Sequence, residues 1–247
     1  RAITAVVGPN GSGKTTLMGR IAGRLSGGEV SPEGADVVLL TQRPGLPPRS
    51  TAVGAVAMVT RDKVRAQELL AAAGLYELAD VPVPALSGGQ AAHVALVRAL
   101  AAQPAVLIVD EPLAAVDVKS AERWRRFLHA VRADRTTLLV THDALDIAHL
   151  AQDMLVMESG QVRAHGATAR LFEAPPTGFV AALAGLNRLE GTVTEIGASA
   201  VEVACGYITV LAATEDASLE PGQKVAVTFD PHAATIGAAQ EPCNQWA

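Results

Sequence analysis

The sequence predicts an α/β domain built on a parallel sheet, followed by a small all-β domain. Up to about residue 186, short apolar runs alternate with helical patterns, as they do in βαβ units. The composition changes near Pro175–Pro176, and after a short apolar helix over 178–186 the helical periodicity stops. Short alternating strands separated by glycine-containing turns follow. We therefore expect one domain over residues 1–186 and a second over 187–247.

The elements of the first domain follow from their flanking residues. A wholly apolar run at 106–109 is typical of a fully buried strand, Gly74 and Pro104 end two helices, and Ser159–Gly160 forms the turn of a hairpin. The predicted strands are 3–7, 37–40, 106–109, 136–140, 154–157 and 161–164. The predicted helices are 15–25, 63–73, 87–102, 119–131 and 144–151, and a helical subdomain is expected over about 43–103.

The second domain is expected to be a small, OB-like all-β fold. Its strands are predicted at 191–196, 200–204, 208–211 and 224–229, where apolar and polar residues alternate.

Composition excludes several classes of function. Of the 247 residues, 25 are acidic and 20 are Lys or Arg, so the formal net charge of −5 argues against a nucleic-acid partner. The cysteines Cys205 and Cys243 are too few for a disulfide framework or a zinc cluster. No apolar run approaches the roughly 20 residues that a membrane span requires. The chain begins at Arg1, so we expect it to be cut or processed at its start.

A glycine-rich motif between the first strand and the first helix fits the pattern G-x-x-x-x-G-K-[ST]. Its glycines let successive backbone N–H groups face a phosphate, and the following helix adds the positive end of its dipole. Lys14 supplies a charge to the β- and γ-phosphates, and the Thr15 hydroxyl supplies a ligand to Mg²⁺. The motif indicates a nucleoside triphosphate, the alternative being a chance glycine-rich turn. The expected binding residues are Gly8, Pro9, Asn10, Gly11, Ser12, Gly13, Lys14, Thr15 and Thr16.

Two carboxylates follow the apolar strand at 106–109. Asp110, at the end of a buried strand, is expected to reach the Mg²⁺ held beside Thr15. Glu111, one residue later, points to the other side and can polarise a water for attack on the γ-phosphate. The alternative is that both acids merely end a strand in solvent.

A third motif opens the helix at 87–102. It comprises Leu86, Ser87, Gly88, Gly89 and Gln90, in which Ser87 can cap the helix and the glycines admit a phosphate close to the backbone. Taken alone, such a segment is an ordinary turn. Lying between the glycine-rich loop and Asp110, it resembles the signature of the ABC-transporter ATPases, and the resemblance extends over residues 1 to about 185.

Further residues match the order of motifs in this family. Gln42 after the second strand resembles the Q-loop glutamine, Asp117 resembles the D-loop aspartate, and His142 resembles the switch histidine. A lone histidine after a strand is more often structural. The resemblance implies that ATP and Mg²⁺ are bound, that Gln42 joins Thr15 and Asp110 around the metal, and that Gln42 and His142 sense the γ-phosphate or the attacking water beside the general base Glu111.

The resemblance also implies a split site. The signature of one subunit would act on the nucleotide held by the glycine-rich loop of another, so that ATP joins a homodimer. The chain departs from the family pattern at three places. Only seven residues precede Gly8, so the N-terminal edge and the aromatic residue that stacks on adenine are expected to be missing. The stretch from Thr15 to Gln42 is shorter than in the family, and Ala91-Ala92-His93 replaces a polar, Arg-containing segment.

Two segments resemble the ATPases of bacterial importers. Residues 157–166 are similar to their strand–turn–strand, and the segment that begins at Asn187 is similar to a TOBE or Mop-like module. Such modules occur in importers of molybdate, sulfate, iron, polyamines and sugars, and the closing segment 221–231 favours molybdate. The module could equally be a dimerisation domain without a ligand. Apolar residues Val53, Val56 and Met58 could be core or docking surface.

The resemblance therefore implies an ATP hydrolase that powers a bacterial ABC importer for molybdate or a related oxyanion. Its partners would be a second copy of itself, an integral membrane permease and, indirectly, a substrate-binding protein, with the chain bound peripherally at the cytoplasmic face of the membrane. The alternatives are an importer of another substrate, a non-transport ABC ATPase, and an oxyanion sensor with vestigial ATPase activity.

Overall fold

The structure is a computed structural model that describes residues 2–27, 34–41, 45–113, 118–131, 135–197, 200–214 and 218–233. The chain divides into two compact units, residues 1–169 and 170–247. None of the helices in the described ranges combines the length and apolar character needed to cross a bilayer.

The first unit is built on a six-stranded sheet with the order β2-β3-β4-β1-β5-β6. All neighbouring strands are parallel except the β5–β6 hairpin, which is antiparallel. The strands are β1 Ile3–Val7, β2 Val37–Leu40, β3 Val106–Asp110, β4 Thr136–Val140, β5 Asp153–Glu158 and β6 Gln161–Ala167. The predicted parallel sheet with crossover helices is confirmed.

The carboxyl ends of the parallel strands meet at one edge of this sheet, which is where α/β folds place their ligands. Val140 at the end of β4 lies beside Val6 of β1 on one side and beside Asp110 of β3 on the other. Segments far apart in the sequence therefore meet at this edge.

The helices before residue 174 are α1 Lys14–Ile21, α2 Ala52–Thr60, α3 Lys63–Ala72, α4 Gly88–Ala101, α5 Val118–Ala130, α6 Ala144–Leu150 and α7 Thr168–Glu173, the last of which extends into the second unit. Among them, α2, α3 and α4 pack on one another, α5 packs on α6, and α4 also contacts β2. Helix α1 ends four residues before the predicted limit of 25, because Gly23 takes a φ of +66° and the N–H of Leu25 folds back onto the carbonyl of Gly19.

Helix α2 lies within the predicted helical subdomain and packs on α3 and α4. Of its apolar residues, Val53 and Val56 are fully buried, as expected for core, whereas Met58 is 61% exposed. Asp62 begins α3 by accepting hydrogen bonds from the N–H groups of Val64 and Arg65.

The second unit contains helix α8 (Gly178–Leu183) and a four-stranded antiparallel sheet with the order β10-β7-β8-β9. Its strands are β7 Asn187–Ile196, β8 Ala200–Cys205, β9 Ile208–Ala213 and β10 Lys224–Phe229. The sheet packs a small core around Val201, Val203, Cys205 and Val210. All four strands were predicted, with β7 beginning four residues earlier than expected.

Candidate functional site

The glycine-rich loop joins β1 to α1 in a conformation that only glycine adopts readily. Gly11 and Gly13 have φ angles of +78° and +98°, in the left-handed region. A Cβ at Gly8 would collide with the carbonyl oxygen of Met157 in β5. The turn of the β5–β6 hairpin also contacts the loop, since the N–H of Gly160 donates to the carbonyl of Ser12 over 3.0 Å. The sequence predicted the loop and the hairpin, but it did not predict this contact between them. The residue that could have indicated it is Gly160, in the turn of the hairpin.

Lys14 lies over the loop that precedes it. Its Nζ donates to the carbonyl oxygens of Gly8 and Pro9 over 2.6 and 3.0 Å, and to Oγ of Ser12 over 3.5 Å. Burial lowers the pKa of Lys14, and the negative charges of Glu111 and Asp110 oppose this shift. The ammonium group is thus held at the mouth of the loop, facing two carboxylates.

Asp110 ends β3 beside this ammonium group. Burial raises the pKa of the Asp110 carboxyl, and the charge of Lys14 acts in the opposite direction. A divalent cation next to this carboxyl would favour its ionised form. The site is thus suited to a metal ion, because Asp110 and the Thr15 hydroxyl are both oxygen donors of the kind that Mg²⁺ prefers.

Glu111 leaves the strand with an unusual backbone. Its φ is +50°, in the left-handed region, and its N–H donates to the carbonyl of Val140 over 2.8 Å. This backbone bond joins the turn at Glu111 to the end of β4. The two acids were predicted to point to opposite sides of the strand, but both line the same cavity. Val140 was not among the predicted site residues, because a carbonyl contact leaves no signal in the side-chain pattern.

His142 contacts Glu111 directly. Its Nδ1 donates to Oε1 of Glu111 over 2.7 Å, with the histidine side chain 77% exposed and the glutamate side chain 12% exposed. The hydrogen bond and the charge of Glu111 raise the pKa of His142 above its ordinary value of 6.5, and Asp143 and Asp146 add to the effect. The structure therefore brings together two residues that are 31 positions apart in the sequence.

Most of the glycine-rich loop, Asp110 and Glu111 line a cavity of about 330 Å³ at the carboxyl edge of the sheet, whereas His142 is not part of its lining. Backbone N–H groups, an ammonium group and two carboxylates can there hold a polyphosphate and a divalent cation. A larger cavity of about 570 Å³ lies on the sheet of the second unit, but its lining is mainly apolar and has no ionisable side chain. The smaller cavity is lined by Asn10, Gly11, Ser12, Gly13, Lys14, Thr15, Thr16, Asp110, Glu111 and Val140.

The signature segment 86–90 begins α4 through a reciprocal cap. Oγ of Ser87 accepts from the N–H of Gln90 over 3.2 Å, and Oε1 of Gln90 accepts from the N–H of Ser87 over 2.9 Å. The two side chains thus satisfy backbone groups of their own segment, and Gly88 presents an open N-terminus in which a Cβ would meet no atom within 4 Å. None of the five signature residues is among those that line the cavity of the same chain.

Two predicted site residues, Gln42 and Asp117, lie outside the described residues. All the other predicted residues of the glycine-rich loop and of the β3 edge lie within the described ranges.

The sequence matches the ABC transporter family over residues 1–114. It is 34% identical over 266 aligned positions to the molybdenum import ATP-binding protein ModC of Mycobacterium tuberculosis (strain ATCC 25618 / H37Rv), covering 95% of this chain and 71% of the relative. It is 36% identical to the sulfate/thiosulfate import ATP-binding protein CysA of Salmonella typhi, covering 77% of this chain and 60% of that protein. It is 34% identical to the spermidine/putrescine import ATP-binding protein PotA of Thermobifida fusca, covering 82% and 59%.

The fold is also similar to that of a solved structure. A chain from a metal-chelate type ABC transporter, solved in an inward-facing conformation, superposes with a TM-score of 0.62 at 23% identity, covering 78% of this chain and 83% of that one.

Proposed function

This chain belongs to the ABC transporter family, and we propose that it is the ATP-hydrolysing subunit of a bacterial importer for molybdate or a related oxyanion. ATP hydrolysis and a role in import follow from membership among import ATP-binding proteins, as the sequence predicted. The observation that carries the proposal is the cavity in which Lys14, Asp110 and Glu111 meet the glycine-rich loop.

The choice of molybdate rests on the closing segment 221–231 and on the coverage of one relative. The alignment to the molybdenum importer protein includes 95% of this chain, whereas those to the sulfate/thiosulfate and spermidine/putrescine importer proteins include 77% and 82%. The four-stranded sheet of the second unit would be a TOBE or Mop-like module with an OB-like fold. The alternative is an importer for sulfate, iron, a polyamine or a sugar.

Within the proposed site, the loop from Gly8 to Thr16 binds the phosphates through its N–H groups, and Lys14 contacts the β- and γ-phosphates. Thr15 and Asp110 would hold Mg²⁺, together with Gln42. The metal, when bound, neutralises charge on the phosphate oxygens. Each of these residues except Gln42 lies in the described part of the site.

Glu111 is the proposed general base. Its carboxylate accepts a proton from the water that attacks the γ-phosphate, and the hydrogen bond from His142 holds that carboxylate in place. The left-handed turn at Glu111 comes directly after the proposed metal ligand Asp110, and both side chains line the cavity.

The signature segment of a second copy would complete each site. The capped N-terminus of α4 would present the N–H groups of Gly88 and Gly89 to the γ-phosphate held by the partner's loop. Asp117 would act at the same interface. The homodimer would bind an integral permease at the cytoplasmic face of the membrane and act indirectly with a substrate-binding protein.

The test is ATP hydrolysis and ATP binding by the chain and by the variant Lys14→Ala, with Lys63→Ala at the surface of α3 as the control. We expect Lys14→Ala to abolish ATP binding by calorimetry and Lys63→Ala to retain it. Unchanged affinity in Lys14→Ala would remove the assignment of the loop. The substrate is tested by co-purification with the permease and ATPase assays with molybdate, sulfate, spermidine and a sugar.

A further inference from the structure

Helix α5 contacts the helix that follows the signature segment. The ring of Trp124, which is fully buried, stacks on the imidazole of His93 in α4, with centroids 4.2 Å apart and planes inclined by 29°. The ring of Phe127 also contacts the indole, edge-on, with centroids 5.2 Å apart. Because aromatic pairs prefer defined geometries, this stack fixes the position of α4 relative to α5.

The next residue of α5 contacts the helix that follows His142. Nε of Arg125 donates to Oδ1 of Asp146 over 2.6 Å, and the two side chains are 16% and 5% exposed. Burial raises the pKa of Asp146, and the hydrogen bond from Arg125 opposes that shift. A buried pair of this kind is strongly directional, and removing one partner leaves an uncompensated charge. The pair therefore fixes α6 to α5.

Asp146 lies in the first turn of α6, four residues after His142. Asp143 caps this turn by accepting from the N–H groups of Leu145 and Asp146. Any shift of Asp146 would move the first turn of α6 and, with it, the segment that carries His142. The negative charge of Asp146 also contributes to the raised pKa of His142, after Glu111 and Asp143.

We propose that Trp124 and Arg125 are positioning residues that couple the signature helix α4 to the hydrogen bond between Glu111 and His142. The proposal rests on the proposed function, in which α4 acts on the nucleotide of a second copy. A displacement of α4 would be transmitted by the His93–Trp124 stack to α5, and by the Arg125–Asp146 pair to α6. Packed interiors transmit such displacements because they have little free volume. The signature helix would thereby favour the hydrogen bond between His142 and Glu111 of its own chain.

The helix provides its own matched control. Arg126, adjacent to Arg125, forms a 3.4 Å ion pair with Glu122 in which the side chains are 75% and 67% exposed. Exposed pairs of this kind contribute little to stability. Arg125→Met and Arg126→Met therefore make the same chemical change, the first at a residue that pairs with α6 and the second at a residue that pairs only within α5.

The experiment measures kcat and KM for ATP, ATP affinity by calorimetry, and thermal unfolding for these variants. We expect Arg125→Met and Trp124→Leu to lower kcat about three- to tenfold while ATP affinity is retained. Arg126→Met should leave kcat and ATP affinity unchanged. Trp124→Phe, which keeps an aromatic ring, should retain most of the kcat that Trp124→Leu loses. If Arg125→Met does not fold, Asp146→Asn, which removes the charge of the partner but keeps its shape, is compared with Arg126→Met instead.

A second measurement separates positioning from a merely structural role. In a His142→Ala background, Arg125→Met should reduce the residual kcat no further, because the proposed effect passes through His142. An equal reduction in both backgrounds would overturn the proposal, as would an unchanged kcat in Arg125→Met and Trp124→Leu. Absence of ATP hydrolysis in the unmodified chain would instead contradict the proposed function.

Discussion

The imidazole of His142 donates from Nδ1 to Oε1 of Glu111 over 2.7 Å, joining the segment after β4 to the segment after β3. Glu111 directly follows β3, and His142 lies two residues after the end of β4. Because β3 and β4 are neighbouring parallel strands, their register determines whether the two side chains meet. The proposed base and its orienting partner are thus brought together by strand pairing.

Glu111→Gln is expected to bind ATP but to hydrolyse it about 10²- to 10⁴-fold more slowly, because the amide cannot accept the proton of the attacking water. ATP should then accumulate in the site and stabilise a dimer, which static light scattering in Mg-ATP would detect. The matched change Glu77→Gln, at an exposed position, should hydrolyse ATP normally. If Glu111→Gln remained monomeric in Mg-ATP, the split-site mechanism would be wrong.

The titration of His142 should depend on Glu111. Since the carboxylate raises the histidine pKa above 6.5, the imidazolium persists to higher pH in the folded chain. Its contribution to stability is fully present below pH 6.5 and is lost as the pH rises through the folded-state pKa. In Glu111→Gln we expect the pKa of His142 to fall toward 6.5, as measured by NMR titration of the ring. Glu77→Gln should leave the curve unchanged, and an identical curve in both variants would show that the hydrogen bond is absent in solution.

Ser87→Ala should destabilise α4. Oγ of Ser87 accepts from the N–H of Gln90, and loss of such a cap costs about 1 kcal/mol. For a chain of this size we expect the thermal midpoint without nucleotide to fall by roughly 2–4 °C. Ser87→Thr keeps a capping hydroxyl and should retain most of the stability. An unchanged midpoint in Ser87→Ala would mean that the reciprocal cap contributes nothing.

Gly191→Ala should disrupt the sheet of the second unit. A Cβ at Gly191 would lie 2.5 Å from Cγ1 of Val203 and 2.6 Å from Sγ of Cys205. Overpacking of this kind costs about 1–3 kcal/mol. Native-state hydrogen exchange should show reduced protection of the amides in β7 and β8. Gly178→Ala, where a Cβ meets no atom within 4 Å, should be neutral or stabilising, and equal protection in the two variants would contradict the steric argument.

Most strands could be predicted because the sequence marks them locally. The apolar run at 106–109 and the turn Ser159–Gly160 each identify an element without reference to the rest of the chain. Helix α2 is different: it has apolar residues on most of its surface, so no polar face signals a helix, and α3 and α4 bury the side chains Val53 and Val56. Its existence depends on tertiary packing.

The residues of the site also divide into those that the local sequence indicates and those that depend on tertiary packing. Lys14, Asp110 and Glu111 could be predicted because each has a fixed place relative to a strand or a glycine-rich turn. The contacts of Arg125 with Asp146 and of His93 with Trp124 could not, because they depend on how three helices pack, and nothing in the spacing along the chain indicates it.

The left-handed backbone at Glu111 limits which amino acids position 111 can accept. A φ of +50° is tolerated best by glycine, asparagine and aspartate, and is costly for β-branched residues. In a saturation library, isoleucine and valine should therefore yield less folded protein than asparagine, although all three remove the general base. Tolerance at this position would thus report two separate selections, one on proton transfer and one on the shape of the turn.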